Sequence, residues 1–329
     1  MNFRARPRGR LPALPPRDQT APVTAEASNH TARSAATVAG ADRDVDAEPL
    51  FRFGLLADVQ YADDDPRPQI DRYYRYSLGK LAEAITEFNR HELAFVVHLG
   101  DLVDHDLENL PPVLNLLRQS TAPVRQVLGN HDFLSRTGPN GVSAEADVFS
   151  AFGLERPYYA FDVAGWRFLV LNTNEVGVIA AEPQTERWLQ GRQLLDRLAA
   201  EKRPNANAWN GTIGPEQTGW LEDQIEDAGT HGLRAAILAH HPVFPDHGDN
   251  LLDDHRMRER LPDFPALKVW FNGHQHQGGY GEHGGVNYLT LCGMVQTRRN
   301  AYAIAEVYHD RIEIIGFDRE PTRTLKINS

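Results

Sequence analysis

The chain carries the stretch Val96-Val97-His98-Leu99-Gly100-Asp101-Leu102-Val103-Asp104, in which a mostly apolar run precedes a glycine and two carboxylates follow it. A continuous apolar run is typical of a parallel β-strand that is covered on both faces. Ligands of open α/β sheets bind at the carboxyl ends of such strands. The stretch therefore predicts a buried strand that ends in a polar site.

Four further apolar runs, over residues 53–57, 124–128, 235–239 and 268–272, also end in polar side chains. The polar residues that follow these runs are Asp58 and Gln60, then Asn130, His131 and Asp132, then His240 and His241, and finally His274 and His276. Because five strand-like runs end in the same manner, we expect their polar ends to meet at one edge of the fold.

The segments between these runs predict helices and a change of sheet type along the chain. Apolar residues recur at helical spacing over residues 71–91, and shorter helical patterns cover residues 114–117, 186–200 and 215–228. A hairpin is predicted around Ala164-Gly165, and strands are predicted over residues 286–292, 302–308 and 312–317. The pattern favours an α/β fold of two packed mixed β-sheets flanked by helices, a four-layer αββα sandwich.

Composition limits the classes of function. The 329-residue chain has a net charge of -11, which argues against a nucleic-acid partner. It has no apolar run near the roughly 20 residues that span a bilayer, so we expect a soluble protein without a membrane partner. Cys292 is the only cysteine. No intramolecular disulfide is possible, so we expect a cytoplasmic protein. We expect Cys292 to be a small residue of the core.

Residues 1–48 differ in composition from the rest of the chain. They are rich in proline, alanine and arginine, carry seven arginines against six acidic residues, and show no apolar periodicity. We therefore expect a disordered N-terminal tail, with an organellar transit peptide as the alternative, followed by one domain over residues 49–329. The acidic character belongs to that domain, which holds 27 basic and 39 acidic residues.

Seven candidate metal ligands emerge from the strand ends. They are all oxygen or nitrogen donors and include no thiolate: Asp58, Gln60, Asp101, Asn130, His240, His274 and His276. Such donors suit a divalent first-row ion better than a soft one. Seven are too many for one catalytic ion with an open position, so they predict two ions that share a carboxylate, for which Asp101 is the natural bridge. His240 and His241 compete for the role of ligand in the fourth motif.

Taken together, the five motifs resemble those of the calcineurin-like metallophosphoesterases. Gln60 stands where that family usually has a histidine. In this respect the chain resembles one branch of the family, the manganese-dependent ADP-ribose/CDP-alcohol diphosphatases. Four segments resemble the same branch, and these are residues 57–63, 72–75, 209–211 and 273–280. The resemblance covers about residues 50–325.

The resemblance implies two divalent metal ions, of which Mn²⁺ is expected and Fe, Zn or Mg are alternatives. One ion would bind Asp58, Gln60, Asp101 and His276, and the other Asp101, Asn130, His240 and His274. His240 is favoured over His241 because it occupies the family's position two residues before Pro242. A bridging carboxylate of this kind suits a pair of ions that together activate water at a phosphate group.

The resemblance also implies roles for residues that do not bind metal. His131 would stabilise charge or protonate the leaving group, and Asp104 or Asp132 would orient the imidazole ligands. Arg72 and Tyr73 occupy positions where the branch contacts its substrate, since arginine suits a phosphate and tyrosine can stack on a base.

The implied reaction is hydrolysis of a nucleoside diphosphate that is linked to a sugar or an alcohol. The products would be a nucleoside monophosphate and a second phosphate ester. Two alternatives stay open: a cyclic-nucleotide phosphodiesterase or phosphomonoesterase of the same superfamily, and a metal-bound scaffold without catalytic activity. The sequence predicts no particular oligomeric state.

Overall fold

A computed structural model describes residues 48–328, so the predicted tail lies almost wholly outside the described residues. The strands of this part are β1 (Phe51–Leu56), β2 (Phe95–Leu99), β3 (Val124–Val127), β4 (Tyr159–Val163), β5 (Trp166–Val170), β6 (Arg234–Leu238), β7 (Leu267–Asn272), β8 (Gln277–His283), β9 (Val286–Cys292), β10 (Ala301–Val307), β11 (Arg311–Asp318) and β12 (Arg323–Lys326). The helices are α1 (Tyr76–Phe88), α2 (Leu110–Leu117), α3 (Glu145–Phe152), α4 (Glu186–Ala200), α5 (Pro215–Thr230) and α6 (Asp254–Arg260).

The strands form two six-stranded mixed sheets. The first has the order β12-β11-β10-β1-β2-β3 and the second has the order β4-β5-β6-β7-β9-β8. The neighbours β1, β2 and β3 run parallel, as do β5, β6, β7 and β9, whereas the remaining pairs are antiparallel. The carboxyl ends of the parallel strands in each sheet therefore lie at one edge of that sheet.

Three apolar clusters hold the layers together. The central cluster joins the facing sides of both sheets and includes Phe53 and Phe95 from the first and Phe168 and Phe271 from the second. A second cluster packs the outer face of the first sheet against α1, α2 and α3, and a third packs the outer face of the second sheet against α5 and α6. Burial of apolar area on this scale, at roughly 25 cal/mol per Å², is the main force that favours the fold. The predicted four-layer sandwich is confirmed.

Most predicted elements are found, although some boundaries differ. The helix predicted over residues 71–91 is shorter, since α1 spans Tyr76–Phe88, and the helix predicted over 186–200 is α4 with the same bounds. The predicted hairpin is confirmed, with Ala164 and Gly165 at positive φ in the turn between β4 and β5. The sequence did not predict α3, α6, β8 or β12. No helix of residues 48–328 is both long and apolar enough to cross a membrane.

Candidate metal centre

The polar ends of the strands converge. The backbone N–H of Asp58, which follows β1, donates to the carbonyl of Gly100 over 3.1 Å, and that of Gln60 donates to the carbonyl of Asp101 over 2.8 Å. From the second sheet, the backbone N–H of His274 lies 3.1 Å from both carboxylate oxygens of Asp58. These bonds place the loops of both sheets around one point.

Four of the seven candidate ligands adopt left-handed backbone conformations. The φ angles are 51° at Asp58, 40° at Gln60, 59° at Asp101 and 68° at His274. Such angles are uncommon for residues other than glycine, and they cluster at functional sites where the surrounding structure enforces them. The sharp turns direct these side chains back toward the centre of the cluster.

Two glycines before the ligands are required by close packing. A Cβ atom at Gly100 would collide with the His240 ring, and one at Gly129 would collide with the carboxylate and backbone of Asp101. Gly100 also has a φ of 96°, which favours glycine. The glycines of the second and third motifs therefore allow the ligand side chains to approach the neighbouring strands.

Asp101, Asn130, His240 and His274 form one half of the cluster. The Nε2 atom of His240 lies 3.1 Å from Asn130 Oδ1, 3.4 Å from Asp101 Oδ2 and 3.1 Å from His274 Nδ1. One ligand atom from each of Asp101, His240 and His274 lies within 4.8 Å of the other two. A single cation could contact these atoms together.

Asp58, Gln60, Asp101 and His276 form the other half. Ligand atoms of Asp58, Asp101 and His276 again lie within 4.8 Å of one another, with His276 Nε2 at 3.3 Å from Asp58 Oδ1. Gln60 donates from Nε2 to Asp101 Oδ2 over 2.8 Å, whereas its buried Oε1 has no hydrogen-bond partner among the described residues. A buried amide oxygen without a hydrogen-bond partner destabilises the fold unless a cation or a water molecule binds it. The donor set therefore fits two divalent ions with Asp101 common to both.

The remaining imidazole nitrogens fix which atom faces the centre. His240 donates from Nδ1 to the carbonyl of Leu99 over 2.9 Å, which leaves Nε2 for a cation. His274 has Nε2 3.0 Å from Asn210 Oδ1, which leaves Nδ1 for a cation. Such outer contacts set the tautomer of a metal-binding histidine. His241 points elsewhere, because its Nδ1 lies 2.7 Å from Thr173 Oγ1.

Asp132 has a different role from the one expected. Its buried carboxylate accepts four backbone N–H groups, from Asp101 at 3.1 Å, Leu102 at 2.8 Å, Val103 at 3.1 Å and Gly129 at 2.8 Å. No ligand imidazole of the described residues bonds to it. Asp132 therefore holds the turn that carries Asp101, while Leu99 and Asn210 orient the imidazoles.

His131 lies beside the cluster with its ring against Asp104. Its backbone N–H donates to Asp101 Oδ1 over 2.8 Å, and its Nδ1 lies 3.0 Å from Asp104 Oδ1. Burial lowers the pKa of His131, but the carboxylates of Asp101 and Asp104 outweigh burial and raise this pKa to about 9. The ring is thus favoured in its protonated form, as a proton donor requires.

Negative charge dominates the electrostatics of the centre. Burial lowers the pKa of His240, but the carboxylates of Asp101 and Asp58 outweigh burial and raise this pKa to about 9. For Asp101, burial raises the pKa, but His240 and His131 lower it well below its usual value. The buried carboxylates thus favour positive charge at this edge, as a cation site must.

A cleft of about 520 Å³ opens over the cluster. Arg72 lines this cleft, whereas Tyr73 is not among the lining residues and packs edge-on against Tyr76 with ring centroids 5.9 Å apart. Trp209 also lines the cleft; it is 46% exposed, and its Nε1 donates to Asp249 Oδ1 over 3.0 Å. Trp209 and Asn210 lie in the segment 209–211, which the sequence marked without assigning a role.

Two facing mixed sheets with buried oxygen and nitrogen donors where their strands end form a candidate site for divalent ions, as a metal-dependent hydrolase requires. The comparison with protein families agrees. The chain belongs to the calcineurin-like phosphoesterase family, whose profile matches residues 51–278. This confirms the resemblance seen in the five motifs, and the protein is a metallophosphoesterase hydrolase.

Similar proteins cover most of the chain. A human protein named manganese-dependent ADP-ribose/CDP-alcohol diphosphatase is 27% identical over 323 residues, which is 85% of this chain and 93% of the relative. A rice protein of the same name is 27% identical over 304 residues, or 83% of this chain and 92% of the relative. The crystal structure of a dimetal phosphatase from Danio rerio is 25% identical, with a TM-score of 0.75, and covers 85% of this chain and 100% of that one.

Proposed function

We propose that this protein hydrolyses the diphosphate bond of nucleoside diphosphates linked to a sugar or an alcohol, of the ADP-ribose or CDP-choline type. The products would be a nucleoside monophosphate and a second phosphate ester. The observation that carries this proposal is the similarity, over more than nine tenths of their length, to relatives named for that activity. The cleft supports it independently.

The cleft offers separate groups for the parts of such a substrate. Arg72 at the rim suits a phosphate, because its planar guanidinium can form two parallel hydrogen bonds. The exposed indole of Trp209 suits a nucleobase, since stacking of a base on an aromatic ring is worth about 1–3 kcal/mol. We assign base contact to Trp209 because the Tyr73 ring packs against Tyr76.

Asp58, Gln60, Asp101 and His276 would hold one divalent ion, and Asp101, Asn130, His240 and His274 would hold the other. Such an ion pair supplies an activated water molecule and neutralises charge on the phosphate. We propose Mn²⁺ because the relatives are named manganese-dependent and because the amide oxygen of Gln60 makes a harder site than imidazole would.

His131 would protonate the leaving oxygen. Its ring lies in the wall of the cleft and its Nδ1 faces Asp104 Oδ1 at 3.0 Å, so its other nitrogen is the one that can serve the substrate. Asp132 would keep Asp101 in place through the backbone. As the oxygen of the attacking water bonds to phosphorus and the bond between phosphorus and the leaving oxygen breaks, His131 would pass its proton to the leaving oxygen, and a proton released by that water would restore it.

The test compares four substrates with Mn²⁺ and with Mg²⁺: ADP-ribose, CDP-choline, a cyclic nucleotide and p-nitrophenyl phosphate. We expect kcat/KM with Mn²⁺ to be at least about tenfold higher for ADP-ribose or CDP-choline than for the other two, a difference of roughly 1.4 kcal/mol. The Asp101→Ala variant should have no activity. It is the control that excludes hydrolysis by a contaminating enzyme. Preference for the cyclic nucleotide or the monoester would reject the proposed substrate class.

A further inference from the structure

His105 lies behind the wall of the cleft and takes part in no step described so far. Its backbone has a φ of 72°, a left-handed conformation that few side chains adopt. Its ring stands between two carboxylates, with Nδ1 2.9 Å from Asp104 Oδ1 and Nε2 3.4 Å from Asp64 Oδ2. The unusual backbone angle therefore holds an imidazole in contact with an aspartate on either side.

One buried oxygen atom joins His105 to His131. Asp104 Oδ1 lies 2.9 Å from His105 Nδ1 and 3.0 Å from His131 Nδ1, and the Asp104 side chain is only 2% exposed. Within residues 48–328, no other basic side chain comes within 4 Å of this carboxylate. Neither contact has the alignment of a hydrogen bond, since Asp104 Oδ1 and His131 Nδ1 are buried without a hydrogen-bond partner among the described residues. The carboxylate is therefore placed between the two rings by charge, and the position of the His131 ring depends on that of the His105 ring.

Residues nearer the protein surface hold His105 in place. Asp64, its outer partner, also binds Arg136 over 2.6 Å and Arg67 over 3.1 Å. The ring of Tyr74 packs against His105 with centroids 5.1 Å apart. Six side chains therefore lie in a series that runs from the protein surface to the wall of the cleft: Arg67 and Arg136, then Asp64, His105, Asp104 and His131.

We propose that His105 is a positioning residue for catalysis, which holds the Asp104 carboxylate so that His131 faces the substrate. This rests on the proposed role of His131 as proton donor, but it does not depend on which phosphate ester is the natural substrate. Loss of the correct position of a proton donor lowers the rate most when the leaving group is poor, because a good leaving group departs without protonation.

The first experiment uses leaving groups of different acidity. His105→Ala and His105→Asn are compared with the unaltered enzyme on p-nitrophenyl and phenyl esters, both as nucleoside 5′-phosphate diesters and as simple monoesters. We expect His105→Ala to lower kcat for the phenyl esters about tenfold or more and for the p-nitrophenyl esters less than about threefold, with KM unchanged. His105→Asn should restore most of the loss, because its amide nitrogen can replace Nδ1 and asparagine tolerates the left-handed backbone.

Two outcomes would overturn the proposal. An equal loss with both leaving groups means that His105 matters only for structure, and no loss with either means that Asp104 holds His131 alone. His91→Ala is the matched control, because His91 follows the end of α1, pairs with Glu87 over 3.0 Å and is not among the residues that line the cleft. Metal content and melting temperature are measured for each variant, so that loss of metal or of folding is recognised.

A second experiment needs no turnover. In Mg²⁺-loaded protein with isotope-labelled histidines, where no paramagnetic ion broadens the signals, we expect His105→Ala to shift the ring resonance of His131, which is assigned from its absence in His131→Gln. His91→Ala should leave that resonance in place. An unmoved His131 resonance in His105→Ala would refute the coupling, whatever the enzyme hydrolyses, whereas failure of the proposed substrate class alone would leave this result unaffected.

Discussion

Removing the Asp132 carboxylate should destabilise the protein more than most single substitutions do. Asp132→Ala leaves four buried backbone N–H groups, those of residues 101, 102, 103 and 129, without their acceptor. A buried donor without a partner costs about 1–3 kcal/mol, and neighbouring losses are not additive, so we expect a loss of about 3–5 kcal/mol. Asp132→Asn should lose less, because its single oxygen can still accept two of the four bonds.

Thermal unfolding of metal-free protein measures this effect without a contribution from bound ions. For a domain of this size, about 3–5 kcal/mol corresponds to a fall in Tm of roughly 5–9 °C. Asp310→Ala is the control, since the Asp310 side chain is 74% exposed and its loss should change the stability by no more than about 0.5 kcal/mol. A fall in Tm for Asp132→Ala no larger than that of the control would refute the role assigned to Asp132.

Three further predictions concern other residues. Asn210→Ala should weaken Mn²⁺ binding about 10–100-fold in calorimetric titration, because His274 Nε2 loses its partner. Asn210→Asp should retain binding, and an Asn210→Ala variant that binds Mn²⁺ as tightly as the unaltered protein would contradict this role. Trp209→Ala should raise KM for ADP-ribose about tenfold but leave KM for p-nitrophenyl phosphate unchanged; equal changes would contradict base stacking. Burial lowers the pKa of Lys80 to about 7, so the unfolded chain binds more protons between pH 7 and the ordinary lysine pKa. Lys80 should therefore contribute a rise of about 2 kcal/mol in the free energy of unfolding from pH 7 to pH 9, measured in denaturant titrations as the difference in pH dependence between the unaltered protein and Lys80→Met; identical pH dependence in the two proteins would contradict this.

The sequence predicted the parts of the site that follow directly from strands. Asp58 and His240 each come immediately after an apolar run, and a single glycine separates Asp101 from its run. The end of a parallel strand has a known place in a sheet. The same reasoning predicted the two-sheet fold, which the structure confirms. The assignment of the seven residues as ligands stays a prediction, which their convergence within the described residues supports.

Contacts made by irregular loops could not be predicted in this way. Asn210 reaches His274 across 64 residues of chain from a segment without regular structure, so no periodicity reveals it. Asp132, the alternative to Asp104, was expected to orient the imidazoles, but its carboxylate accepts only backbone N–H groups, and a sequence motif does not show which backbone groups a side chain will meet. Tyr73 was expected at the substrate, yet whether a ring lines a cleft or packs on its neighbour is decided by tertiary contacts.

Four of the candidate ligands have left-handed backbone conformations that only the whole fold can maintain. Asp58, Gln60, Asp101 and His274 each occupy a conformation that costs about 1–3 kcal/mol, and a short peptide with the same motif would relax from it. Here the bonds from Asp132 to the turn of Asp101, and from Asp58 to the backbone of His274, oppose that relaxation. Since each sheet stabilises turns that carry ligands for both halves of the cluster, neither sheet alone could form either half, and the facing arrangement of the two sheets is itself a requirement of the site.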